Sequence, residues 1–174
     1  PSGCGKTTLL NLISGLDKEF DGQINYGINK KSLHLRIAYM FQTPRLLPWL
    51  NVLENVEVVL DKEQQKKSKS KEFLCLMGLE KFLYYYPNKL SGGMQRRVAL
   101  ARSFASEPEL FILDEPFTSL DEPTSNLLRE MLLELWGKQP TTILFVTHDI
   151  KEAISLSDKI IFLSKPPSKV LKEI

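Results

Sequence analysis

The sequence predicts an α/β fold: a largely parallel sheet with helices between its strands, interrupted by a mainly helical insert. Three observations predict it. Short apolar, β-rich runs recur at residues 36–41, 110–113 and 141–146, the length of buried strands. Between and around them lie stretches with apolar residues at helical spacing, at 6–14 and from about Pro123 to Leu135. The residues best suited to chemistry fall at helix starts and strand ends, where an open parallel sheet gathers its ligands.

The chain opens on Pro1-Ser2-Gly3-Cys4-Gly5-Lys6-Thr7-Thr8. Gly5-Lys6-Thr7 matches the end of G-x-x-x-x-G-K-[ST], in which backbone N–H groups cradle phosphates, the lysine reaches the β/γ-phosphates and the hydroxyl ligates Mg²⁺. The first glycine of that pattern would precede Pro1. Residues 6–14 then read as a helix carrying Leu9, Leu10, Leu12 and Ile13, stopped by Gly15. Asp21-Gly22 suggests a turn into a short strand at 23–26, and Ile37, Tyr39 and Phe41 alternate along another at 36–41, with Gln42 at its end.

Two prolines, Pro44 and Pro48, keep 43–50 irregular, yet Leu46, Leu47, Trp49 and Leu50 are a large apolar load for a loop. They suit either a local core or a groove that receives a partner's helix. Residues 51–60 and 70–77 read as helices separated by a lysine- and glutamine-rich, solvated run at 61–69. Tyr84, Tyr85 and Tyr86 read as packing residues.

Leu90-Ser91-Gly92-Gly93 follows, with Met94, Val98, Ala101 and Ala105 at helical spacing behind it. Ser91 is therefore the expected N-cap of a helix, with Arg96, Arg97 and Arg102 on the surface away from its apolar stripe. A helix start with bare glycine backbone is an anion seat. Leu110-Phe111-Ile112-Leu113 then fits a buried strand ending in Asp114-Glu115, where the first acid can hold Mg²⁺ and the second is free to polarise a water. Leu127, Leu128, Met131, Leu132 and Leu135 share a helix face. Thr147-His148-Asp149 stands past a strand expected to run parallel to the acidic one, which puts His148 on the same rim. Strands at 160–163 and 170–174 are joined by a turn around Pro166-Pro167.

With these motifs in hand, the chain resembles an ATP-binding-cassette (ABC) transporter ATPase subunit over nearly its whole length. Gly3 to Thr8 resemble the Walker A loop, Gln42 the Q-loop, Leu90 to Gly93 the signature motif, and Leu110 to Glu115 the Walker B strand. Ser119-Leu120-Asp121 resemble the D-loop and His148 the H-loop, all in the family's order. The resemblance implies a P-loop NTPase (RecA-like) core at 1–42 and 106–174, with the helical subdomain and signature motif at 43–105. It implies that Gly3, Cys4, Gly5, Lys6, Thr7 and Thr8 bind the phosphates of ATP, that Thr7, Gln42 and Asp114 manage Mg²⁺, and that Glu115 is the general base. Gln42 would also touch the attacking water, and His148 would contact the γ-phosphate and position that water or the substrate. Ser91, Gly92 and Gly93 would complete the ATP site of a second subunit in a head-to-tail dimer, with Asp121 linking the two sites.

The wording PRLLPWLNVLENV is similar to importers of nitrate, sulfonate, taurine and related solutes. That likeness implies a transmembrane permease, a second ATPase subunit and an extracytoplasmic solute-binding protein as partners, at the cytoplasmic face of the membrane. An exporter subunit, or a soluble ABC-type ATPase of DNA repair or translation, is the alternative. The resemblance also implies N-terminal strands before Pro1, among them the aromatic residue that stacks on adenine, and a longer C-terminus; residues 1–174 alone are expected to be poorly active.

Composition adds bounds. With 23 Lys and Arg against 21 Asp and Glu, the net charge of +2 gives no electrostatic reason for a nucleic-acid partner. Cys4 and Cys75 are too few and too far apart for a disulfide framework. No apolar run reaches the roughly 20 residues that cross a bilayer, so any membrane link goes through a partner.

Overall fold

A computed structural model describes residues 3–27, 35–61 and 63–174. Its centre is a parallel sheet in the order β1 (Ile37–Met40), β2 (Leu110–Asp114), β3 (Thr142–Val146). The register sets Ile37 beside Leu110 and Leu110 beside Thr142, and at the other end Met40 beside Leu113 and Asp114 beside Val146. All three strands therefore finish at nearly the same level. Gln42, Glu115 and His148 follow those ends within two residues.

β2 is buried along its whole length, and its alternate side chains serve opposite layers. Leu110 and Ile112 meet Leu10 and Ile13 of α1 (Lys6–Ser14). Phe111 and Leu113 face the larger core with α4 (Gly92–Ala105) and α5 (Glu122–Lys138), where Phe104 packs edge-on to Phe111 with ring centres 5.2 Å apart. β1 divides in the same way: Ile37 and Tyr39 lie on the α1 side, while Ala38 and Met40 are the fully covered pair.

The helical insert consists of α2 (Val52–Glu57), α3 (Glu63–Leu76) and α4 packed on one another. Asn51 starts α2 with a reciprocal cap: its side chain accepts from Glu54 N–H at 3.0 Å, and Glu54 accepts from Asn51 N–H at 2.8 Å. Asn55, with no exposed surface, holds the preceding loop. Its Oδ1 accepts from Leu47 N–H at 2.8 Å, and its Nδ2 donates toward the carbonyls of Leu47, Leu50 and Asn51 at 2.9–3.1 Å.

Several expectations need correction. The run at 61–69 is not a separator, because α3 begins at Glu63 and absorbs it; Glu, Gln and Lys are good helix formers. Residues 23–26 are not a strand. Among the described residues no strand lies beside them to share a ladder, and Tyr26 Oη instead donates to Ile13 O at 2.6 Å. Tyr84, Tyr85 and Tyr86 are 65%, 47% and 48% exposed rather than packed inside. A further helix, α6 (Ile150–Leu156), follows His148, where the sequence analysis assigns none. The last two strands, β4 (Ile161–Leu163) and β5 (Val170–Glu173), form an antiparallel pair of their own.

The arginines of α4 differ most from expectation, since they point into the protein and cap carbonyls of other segments. Arg96 Nη2 donates to Thr118 O at 2.6 Å, Arg97 Nη1 to Met77 O at 3.0 Å, and Arg102 Nη2 to Pro44 O at 3.0 Å. Burial pulls all three guanidinium groups below their ordinary pKa. A guanidinium offers five donors on a long stem, enough to reach carbonyls that no regular element satisfies.

Removing the bonds of Asn55 leaves the loop carbonyls and the Leu47 N–H without their partner in a dry site. Asn55→Ala is expected to destabilise the protein by about 2–3 kcal/mol, measured as a lowered urea midpoint with an unchanged m-value.

Candidate active site at the carboxyl edge of the sheet

The chain enters α1 through Gly5, whose φ of 84° lies in the left-handed region that penalises any Cβ. This conformation turns the N-terminal end of α1, the positive end of its dipole, toward where an anion would sit. Gly3, Gly5, Thr7 and Thr8 are exposed, Cys4 is buried beneath them, and Lys6 Nζ folds back to 3.9 Å from Cys4 Sγ. Ser168, in the turn between β4 and β5, donates its hydroxyl to the Cys4 carbonyl.

Thr7 joins this loop to the sheet, its Oγ1 donating to Asp114 Oδ2 at 2.9 Å. Tyr39 Oη stands over the same carboxylate at 3.5 Å and contacts Asn11 Oδ1 at 3.3 Å. Burial, reinforced by the Asp114 charge, pushes the Tyr39 hydroxyl up to about 12, so it keeps its proton and stays a donor.

Glu115 is the next residue, and its backbone adopts a φ of 47°, uncommon for a residue that carries a side chain. Its N–H donates to Val146 O at 2.9 Å, which fixes the turn against the end of β3. Its Oε2 accepts from Thr118 Oγ1 at 3.2 Å and lies 3.3 Å from His148 Nδ1. A backbone in this sparsely populated region persists only where its surroundings hold it. The histidine side chain is 61% exposed and the glutamate's 21%, so a small anion or water has access to both.

Gln42 is exposed at the end of β1, with its carbonyl held 3.4 Å from Arg96 Nη2. One guanidinium thus binds the segments that carry Gln42 and Thr118. Ser91 caps α4 as expected, accepting from Met94 N–H at 3.3 Å, and Ser91 and Gly92 are exposed. Gly93 is favoured for a different reason: a Cβ there would stand 2.7 Å from Thr124 Cγ2. Thr124 is itself fixed, its hydroxyl donating to Asp121 Oδ1 at 2.7 Å and its N–H to Asp121 Oδ2 at 3.2 Å. The Thr124 hydroxyl first, and then its backbone N–H, draw the Asp121 pKa down.

Two clusters result. Gly3 to Thr8, Asp114, Glu115 and His148, with Gln42 at the neighbouring strand end, form one. Ser91, Gly92, Gly93 and Asp121 form another, whose contacts are made through Thr124. Sequence reasoning missed Tyr39, Arg96 and Thr118; the alternation of Tyr39 toward the α1 side was the one available signal. Among the described residues no three His, Cys, Asp or Glu side chains converge as a metal cage. The hydroxyl of Thr7, the Asp114 carboxylate and the Gln42 amide are all oxygen donors, a set that suits a hard divalent cation drawing its other ligands from phosphate and water.

Comparison with known proteins bears on this arrangement. The profile described as ABC transporter matches residues 1–118. An aliphatic sulfonates import ATP-binding protein of Bacillus cereus is 46% identical over 178 residues, spanning 100% of this chain and 70% of that protein. A bicarbonate transport ATP-binding protein of a Synechocystis species is 40% identical over 182 residues, spanning 99% of this chain and 64% of that protein. Among solved structures, a dimeric ATP-binding cassette in a post-hydrolysis state with ADP and Pi superposes with a TM-score of 0.79 at 33% identity, covering 99% of this chain and 83% of that one. A dimeric bacterial ABC transporter cassette superposes at 0.83, also at 33% identity, covering 100% and 82%.

Gly93→Ala gains about 1 kcal/mol of helix propensity, but the overlap with Thr124 costs about 1–3 kcal/mol. Thermal unfolding should show a lowered Tm for Gly93→Ala, and Gly93→Ala/Thr124→Ser, which removes the methyl and keeps the hydroxyl, should recover it.

Proposed function

The chain belongs to the ABC transporter ATP-binding family, an ATPase that works with a membrane permease and a second ATPase subunit, and from that premise we propose how its residues divide the work. The observation that carries the reading is the meeting of two contacts on one sheet edge, Thr7 with Asp114 at 2.9 Å and Glu115 with His148 at 3.3 Å.

ATP binds with its phosphates over the turn at Gly3 to Thr8, where backbone N–H groups and the Lys6 ammonium meet the β/γ oxygens. Thr7, Asp114 and Gln42 would hold Mg²⁺, which when bound would supply positive charge against that developing on the phosphate oxygens. Glu115 takes a proton from the attacking water as its oxygen approaches the γ-phosphorus and the bond to the bridging oxygen breaks. The hydrogen bond from Thr118 keeps the Glu115 carboxylate aimed into the cleft. His148 donates toward the γ-phosphate and holds the water in line.

The second cluster, Ser91, Gly92 and Gly93, serves a nucleotide held by another copy, offering its helix N-terminus to that γ-phosphate, and Asp121 with Thr124 carries the change from one site to the next. The core comprises 1–42 and 106–174, and the helical subdomain 43–105. The permease docks on that subdomain, where Trp49 is 69% exposed while Leu46, in the same loop, packs on the core. Because related chains are named for sulfonate and bicarbonate import, the cargo is a small nitrate-, sulfonate- or taurine-like solute delivered by a solute-binding protein. The subunit sits on the cytoplasmic face. Among the described residues no helix is long and apolar enough to cross a membrane, which fits attachment through the permease.

Glu115→Gln should hydrolyse ATP at least about 100-fold more slowly while binding it normally; turnover at the parental rate would reject the base assignment. Lys6→Ala should weaken fluorescent-ATP binding by about tenfold or more, the loss expected for a charged hydrogen bond. Unchanged affinity would count against its phosphate role.

A further inference from the structure

Glu152 is a buried acid for which the mechanism above has no use. It lies on α6, 8% exposed, and both of its oxygens are engaged. Oε1 pairs with Arg129 Nη2 of α5 at 3.2 Å, and Oε2 accepts from Thr147 Oγ1 at 2.5 Å. The Thr147 hydroxyl in turn accepts from Asp149 N–H at 3.0 Å, and Asp149 Oδ1 accepts from Lys151 N–H at 2.7 Å. Both neighbours of His148 are therefore fixed, and the carboxylate at the root of the network is Glu152.

Arg129 anchors that carboxylate from the other side. Besides Glu152 it meets Asn126 Oδ1 at 2.6 Å and Glu122 at 3.8 Å, and its guanidinium lies 5.3 Å from the centre of the Phe117 ring, which packs against Phe145 of β3. A buried carboxylate with one charged partner and one hydroxyl is costly to desolvate unless every bond is kept. Such a group is bistable only at large cost, and that makes it a firm reference for the exposed imidazole beyond it.

We propose that Glu152, through Thr147 and braced by Arg129, is the positioning residue for His148, setting where the imidazole stands relative to Glu115. The inference rests on the reading of His148 given above. It adds that the rate depends on a side chain bonded to Arg129 and Thr147, and that the dependence passes through the Thr147 hydroxyl.

The test uses the full-length protein and four variants. Thr147→Val keeps the shape and removes the hydroxyl. It should lower kcat about tenfold, within the range that small misplacements of a reacting group produce, with little change in KM for ATP. Thr147→Ser should restore the parental kcat. In a His148→Ala background, Thr147→Val should cost nothing further, because the group it positions is gone. An equal loss in both backgrounds, or a parental kcat for Thr147→Val, would overturn the proposal. Parental kcat for His148→Ala itself would remove the reading beneath it, and the proposal with it.

Discussion

The hydrogen bond from Thr7 to Asp114, 2.9 Å between a helix start and a strand end, is the point through which the rest of the structure must be satisfied. It can form only if α1 packs on β2 with its N-terminus level with the carboxyl edge, which Leu10 achieves by burying itself against Leu110 and Ile112. The same edge must be reached by β1 and β3, and the parallel register delivers Gln42 and His148 there. Hydrophobic packing on the two faces of β2 thus fixes polar groups whose own interactions are too few to place them. The left-handed backbone of Glu115 is supported in this setting by its N–H bond to Val146 O, so strain at one residue is held by a ladder several residues long.

α4 carries a second layer of the design. Its N-terminus presents Ser91 and Gly92 to solvent, and its body caps the carbonyls of Gln42, Pro44, Met77 and Thr118 through three arginines. A displacement of α4 therefore pulls on the segments after β1 and after β2 together. Gly93, pressed on Thr124, adds the start of α5 to the same body. The exposed helix start is thereby tied through buried hydrogen bonds to the segments that follow Met40 and Asp114.

Much of this was legible in the sequence because its signals are local. Gly5-Lys6-Thr7, the run from Leu110 into Asp114-Glu115, and Ser91 before an apolar helical period are each decided within about ten residues. The bounds of α1 and of its stop at Gly15 came out as read. What was missed depends on distant partners. Arg96, Arg97 and Arg102 lie off the apolar stripe and so read as surface, yet each finds a carbonyl 20 or more positions away. Glu152 lies on a helix the sequence analysis does not assign, and its partner Arg129 stands 23 positions away on α5. Residues 23–26 differ for the converse reason: among the described residues no strand pairs with them, and strand propensity counts only through such pairing.

The account holds that one copy supplies the phosphate turn and both acids, while the serine-glycine helix start belongs to the site of another. The direct measurement is sedimentation velocity of the full-length Glu115→Gln protein with saturating ATP, alongside the same protein without nucleotide. The account predicts a two-copy species with ATP that is lost when Ser91 is replaced by a bulky arginine. A single-copy species at saturating ATP, from a parental protein that still cleaves ATP under the same conditions, would contradict it.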